Sequence, residues 1–165
     1  MMNESRSLIE SLISEIKKLK VSEFPIRELP IVQENTDCLD IFGLIIDNDP
    51  PIVIVVNEKN EYIGIVTLLD LLSFFATSSS DLHDALSKTH IGLCIEVRDL
   101  LKAYLPIIYD DDNIAEVAQL MIKYETTFLP RAHSKNDKTI LGIILLRDIV
   151  KKFRDLKNQL PRSET

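Results

Sequence analysis

The sequence predicts an α+β fold: two copies of a β-α-β-β-α unit, preceded by an N-terminal helix. Three observations carry this. The chain repeats itself at an offset of 76 residues, Leu29-Pro30-Ile31-Val32 recurring as Leu105-Pro106-Ile107-Ile108 and Ile52-Val53 falling on Phe128-Leu129. Farther along, Gly64-Ile65-Val66-Thr67-Leu68-Leu69-Asp70 matches Gly142-Ile143-Ile144-Leu145-Leu146-Arg147-Asp148 at an offset of 78. The two extra residues fit the polar turn 134–138, where insertion costs little. Within each copy, short β-branched apolar runs alternate with helical patterns in the same order.

The elements follow in chain order. Residues 5–19 carry Leu8, Ile9, Leu12, Ile13, Ile16 and Leu19 on one helical stripe. The other face mixes Glu and Lys instead of being uniformly basic, which suits packing on the domain better than lying on a membrane. Ile31-Val32 opens the first copy as a short strand. A helix spans Cys38 to Ile46, with Thr36 and Asp37 as cap chemistry. Ile52 to Val56 is a continuous apolar run, hence a buried strand. Asn57-Glu58-Lys59-Asn60 turns the chain, Tyr62 to Val66 returns, and a helix runs from about Leu68 to Phe75. Asp81 to Lys88 reads as a short linking helix, capped by Ser80 or Asp81. The second copy repeats the order from Ile107-Ile108, with Asp112 and Asn113 capping the helix Ile114 to Ile122. The expected divisions are an N-terminal helix (1–20), a first repeat (21–80), a connection (81–95), a second repeat (96–156) and a frayed tail (157–165).

Composition narrows the function. The 165 residues are 45% hydrophobic and 27% charged, an ordinary globular balance. The net charge of −7 is not the footprint of a nucleic-acid binder, although Lys17, Lys18 and Lys20, or Lys151, Lys152 and Arg154, form local basic clusters. No apolar stretch approaches the roughly 18 residues of a membrane span, and the polar start through Glu4 is unlike a signal peptide. Cys38 and Cys94 sit in apolar runs, which suggests reduced thiols and a cytoplasmic protein, with a disulfide left open.

Two β-α-β-β-α copies, each ending in Gly-hydrophobic-hydrophobic-x-x-x-Asp, resemble a tandem pair of cystathionine-beta-synthase (CBS) domains, the Bateman module. The resemblance covers roughly residues 21–155. Gly64 to Asp70 fits the family's Gly-h-h-Ser/Thr-x-x-Asp pattern in full, and Leu129-Pro130 fits its Leu-Pro at the middle strand. The resemblance implies two small sheets packed about a pseudo-two-fold axis, a homodimer, and two clefts that hold AMP, ADP, ATP or S-adenosylmethionine as a regulatory ligand. It implies that the closing Asp takes the ribose hydroxyls, that the Ser/Thr three residues earlier approaches the phosphates, and that residues before the middle strand hold the adenine. One cleft would combine Pro106, Thr126, Thr127 and Phe128 with Ile65, Thr67 and Asp70. The other would combine Pro30, Pro50 and Pro51 with Ile143, Leu145, Arg147 and Asp148.

The residue chemistry agrees. A carboxylate accepts two hydrogen bonds from a vicinal diol, and a helix N-terminus offers N–H groups to a phosphate. Thr67 to Asp70 is equally a capping-box pattern, and capping and ribose binding are compatible. Asp148 has Leu145, which cannot cap, at the matching position. Its alternative role is a dipole-stabilising Asp in the first helical turn. The second cleft lacks a hydroxyl and carries Asp47 and Asp49, which repel phosphate, so the first is the preferred site. Arg147 is either a phosphate partner or a solvated helix residue.

Other signals point elsewhere. His83 and His90 lack the further ligands a metal needs. Asp110-Asp111-Asp112 reads as a helix-start acidic cluster before a Mg²⁺ site. Arg131 and His133 read as a solvated edge before a ligand-facing pair. Ser73, Ser78, Ser79 and Ser80 lack a nucleophile-elbow context. The expected function is therefore a non-enzymatic sensor that signals occupancy to a regulated partner. The alternative is a ligand-free dimerisation or docking module of the same fold.

Overall fold

The computed structural model describes residues 2–72, 96–101, 104–137 and 139–159. The expected linking helix 81–88, the serines at 73 and 78–80, His83, His90, Cys94 and the last residues of the helix to Phe75 lie outside them. The chain divides into two compact units, Leu29–Leu105 and a composite of Met1–Glu28 with Pro106–Thr165.

In the first unit, β1 (Ile31–Gln33), β2 (Ile52–Val56) and β3 (Tyr62–Thr67) form one sheet in that order. β1 runs parallel to β2, with Ile31 opposite Ile54, and β3 runs antiparallel, with Ile52 opposite Thr67. All five residues of β2 are buried, as its unbroken apolar run requires. Val53 and Val55 share a core with Val32, Cys38, Ile41, Ile45, Val66, Leu71, Val97 and Leu100. Helix α2 (Ile41–Ile46) lies between β1 and β2, and residues 68–72 (α3) are helical directly after β3. Buried Cys38 is a free thiol. Burial first, then the charges of Asp37 and Asp99, push its pKa up to about 11, so it is unreactive at neutral pH.

The second unit repeats the sheet. β4 (Ile108–Tyr109), β5 (Phe128–Ala132) and β6 (Ile140–Leu145) are ordered as numbered, parallel then antiparallel. Helix α4 (Ile114–Lys123) follows β4 and α5 (Leu146–Gln159) follows β6. The N-terminal helix α1 (Met2–Ile16) lies along α5. Its stripe is incompletely covered: Ile9 is 56% and Ile13 45% exposed.

The segments ahead of each repeat are exchanged. Residues 20–28 pack on the sheet of the second repeat, and residues 96–101 pack on that of the first. The same hydrogen bonds recur at the 76-residue offset. Val21 and Ser22 donate to the carbonyls of Asp112 and Asp110 at 3.0 Å each, and Val97 and Arg98 donate to those of Thr36 and Glu34 at 2.9 and 3.0 Å. Each segment is a short 3₁₀ turn, Val21–Glu23 or Val97–Leu100, that buries its first valine completely.

Two local expectations are corrected. Helix α2 begins at Ile41, not Cys38. Asp40 N–H reaches back only three residues, to Asp37 O at 3.1 Å, whereas Val117 N–H reaches four, to Asn113 O at 3.1 Å. Cys38-Leu39-Asp40 has poorer helix formers than Ile114-Ala115-Glu116, and the Asp37 carboxylate accepts from Leu39 N–H at 2.8 Å as a turn, not from a helix. Arg131 is not on a solvated edge. It lies on β5, the central strand, and is 3% exposed. Its Nε donates to Asp110 Oδ1 at 2.7 Å and its Nη1 to Phe24 O at 2.9 Å. Asp110 is thus a counter-ion, with exposed His133 Nδ1 2.7 Å from its other oxygen. Asp112 Oδ2 accepts from Tyr109 N–H at 2.8 Å.

Candidate functional site

Both repeats place an Asp at the start of the helix that follows the third strand, because β3 and β6 pass into α3 and α5 without a loop. In the first unit, Asp70 Oδ2 accepts from Thr67 N–H at 2.8 Å and from Thr67 Oγ1 at 2.7 Å. Asp70 N–H points back to Thr67 Oγ1 at 3.3 Å. This is the capping box that the sequence spells. It fixes a half-buried carboxylate beside the first N–H groups of a helix, a place suited to polar or anionic groups. Ile65, two residues earlier on β3, is buried. Pro30 is half-buried just before β1, and its carbonyl accepts from Ile54 N–H at 2.9 Å.

The second unit holds the other expected residues. Leu146 N–H donates to Thr127 O at 2.8 Å, which sets the 126–128 turn beside the start of α5. Its counterpart in the first unit is Leu68 N–H to Pro51 O at 3.3 Å. Thr126 Oγ1 donates to Phe128 O at 3.1 Å, Thr127 is exposed, and Phe128 and Pro106 are half-buried. Arg147 is exposed on α5 and Ile143 is fully buried.

Asp148 is placed differently from Asp70. Its two oxygens accept from Arg27 Nε at 3.2 Å and Arg27 Nη2 at 3.0 Å. Only 10% of the Asp148 side chain is exposed. Arg27 is in turn bound through its backbone: its N–H donates to Ile143 O at 3.2 Å and its carbonyl accepts from Ile143 N–H at 3.0 Å. Sequence reading missed Arg27, since nothing in residues 25–28 marks a segment that crosses to the sheet of the other repeat. The signal available was the 76-residue offset, which puts Val21 on Val97 and Arg27 on Ala103.

Among the described residues, no three His, Cys, Asp or Glu side chains converge on a metal position. No described helix is long and apolar enough to cross a membrane.

The model of the CBS domain matches residues 21–77 and again 97–155, the two starts 76 residues apart. The chain belongs to the CBS domain family. Solved structures agree on the fold. CBSX2, in complex with AMP, is 22% identical with a TM-score of 0.65, over 84% of this chain and 98% of that one. The CBS domain pair of MJ0100, in complex with 5′-methylthioadenosine and S-adenosylmethionine, is 16% identical with a TM-score of 0.65 over the same shares. A CBS domain-containing protein of unknown function from Bacillus anthracis str. Ames Ancestor is 14% identical with a TM-score of 0.66, over 86% and 97%. No curated protein sequence matches.

Proposed function

We propose that this CBS domain chain is a regulatory module that binds an adenosine-containing ligand and passes occupancy to a protein partner, working as a homodimer in the cytoplasm. The observation that carries the reading is the Thr67–Asp70 turn, a carboxylate held by a capping box at a helix start. There a ribose diol would meet the carboxylate, and a phosphate or sulfonium-bearing chain would pass the first helical N–H groups. Asp148 marks the corresponding position of the second repeat. Thr126, Thr127, Phe128 and Pro106, with Pro30 in the other repeat, would face the base, and Arg147 would meet a phosphate. The complexes of CBSX2 with AMP and of MJ0100 with S-adenosylmethionine and 5′-methylthioadenosine support this ligand class.

The test is thermal unfolding against AMP, ADP, ATP and S-adenosylmethionine. A ligand at about 100 times its dissociation constant adds about 2.7 kcal/mol, a rise in Tm of roughly 5–10 °C for this size. Asp70→Asn keeps an oxygen for Thr67 but loses two-point acceptance of a diol, and it abolishes the shift. No shift with any of the four overturns the reading.

A second reading, a ligand-free docking module, is favoured by the exposure of Ile9 and Ile13 on α1. Lys17 O and Leu19 O accept from Asn113 and Ile114, so a test truncation stops at residue 15. Light scattering that shows a smaller assembly after truncation supports docking through α1. An unchanged mass excludes α1 as the assembly surface.

A further inference from the structure

We propose that Arg27 is a built-in occupant of the second carboxylate position, so that Asp148 accepts an adenosine ribose only when Arg27 is removed. The inference rests on reading Asp148 as the counterpart of Asp70, and its test separates failure of the one from failure of the other.

The geometry is that of a held ion pair. Both oxygens of Asp148, the pair of acceptors a vicinal diol would need, are engaged by one guanidinium at 3.2 and 3.0 Å. A two-point arginine–carboxylate pair joins opposite charges in a matched planar geometry, whereas a diol brings two neutral hydroxyls. A diol replacing it would also cost the guanidinium its carboxylate partner. The backbone that carries this side chain is held in place. Its N–H and carbonyl are both bonded to Ile143. Gly142 holds φ +151°, and a Cβ there would lie 2.1 Å from Arg27 O, so the strand is built to admit this backbone closely.

The arginine itself is not repeated in the sequence. The 76-residue offset that aligns the exchanged segments places Ala103 where Arg27 stands. The duplication has kept both aspartates, and Asp148 carries an arginine from its own compact unit.

The experiment is calorimetric titration of the full chain with AMP and, separately, S-adenosylmethionine. Wild type binds one ligand per chain, Arg27→Gln binds two, and Arg27→Gln with Asp148→Asn returns to one. The glutamine keeps most of the arginine stem, and a cooperative thermal melt confirms folding. If it does not melt cooperatively, Arg27→Lys replaces it, since an ammonium cannot hold both oxygens in one plane. The same second binding event is then expected. Two ligands bound to wild type would mean that a ligand displaces Arg27 from Asp148, and would overturn the proposal. One ligand bound to the Arg27 variant overturns it as well. Wild type that binds neither ligand overturns the reading of the Asp70 site alone. In that case one ligand bound by the Arg27 variant, and lost with Asp148→Asn, still supports the proposal, and none overturns it.

Discussion

At the scale of single residues, a buried charge sits where the segment 20–28 meets its sheet. Arg131 is a buried cation on the central strand, satisfied by Asp110 and by the carbonyl of Phe24 from the incoming segment. Burial pushes the Asp110 carboxyl up. The hydrogen bonds from Arg131 and His133, with their charges, more than offset this, so its pKa lies below the usual carboxylate range. A depressed folded-state pKa gives stability that is fully present above about pH 4, where the unfolded carboxyl is ionised. That stability is lost as pH falls through the lower folded value. Asp110→Ala leaves the guanidinium buried and uncompensated and costs about 3 kcal/mol at neutral pH. Replacing both partners (Asp110→Ala with Arg131→Met) costs less than Asp110→Ala alone and flattens the acid limb of a urea-denaturation series between pH 5 and 2. A double variant as acid-sensitive as wild type would remove Asp110 from this role. The two equivalent glycines separate in the same way. A Cβ at Gly142 meets the backbone oxygen of Arg27 at 2.1 Å, whereas one at Gly64 meets the far end of the Leu101 side chain at 2.7 Å. Gly142→Ala is therefore expected to cost about 3 kcal/mol, for strain and a clash that cannot relax, and Gly64→Ala about 1 kcal/mol. Similar urea midpoints for the two would show that the Arg27 backbone yields.

At the scale of elements, the helix starts show what was legible and what was not. Asn113 was readable as a cap: its side chain accepts from Ala115 N–H at 2.8 Å, and its amide donates to Lys17 O. Thr36 and Asp37 carry the same chemistry in the sequence, yet they serve a turn and a bridge to Glu96. The residues after them, Cys38-Leu39-Asp40, hold a tight turn, so the helix waits for Ile41. Cap chemistry marks where a helix can start, and the propensity of the next turn decides whether it does. Asn113→Ala should cost about 1 kcal/mol or somewhat more. Asp40→Ala, at an N-cap with no side-chain hydrogen bond, should cost nearly nothing. Chemical denaturation of both variants measures this, and a large loss at Asp40 would contradict the cap geometry. The strands were read with little error because continuous β-branched runs such as Ile52 to Val56 have few other uses. The Thr67–Asp70 turn was legible because its hydrogen bonds are local. The Arg27–Asp148 pair spans 121 residues and leaves no periodic trace in the sequence.

At the scale of the whole molecule, the duplication was plain in sequence, while compact packing groups the residues differently. Reading along the chain groups residues 21–80 as one repeat, while the compact unit is Leu29–Leu105. The difference is the exchange of the segments that precede each repeat, and it decides where an independently folding piece can be cut. A fragment 29–105 keeps Val97 and Leu100, which are 0% and 3% exposed in the core of the first sheet. It also keeps the hydrogen bonds from Val97 and Arg98 to Thr36 and Glu34. A fragment 21–80 loses all of these. It carries instead Val21 and Phe24, which are buried only against the second repeat. Losing two buried aliphatic side chains removes about 3–6 kcal/mol of burial, comparable with the whole stability of a small domain. The fragment 29–105 should therefore unfold cooperatively in urea with dispersed amide resonances. The fragment 21–80 should show no cooperative transition, although it contains every strand of the first sheet. Equal cooperativity of the two would mean that the exchanged segment adds little to the first repeat. In that case the boundary belongs at residue 20, where reading along the sequence places it.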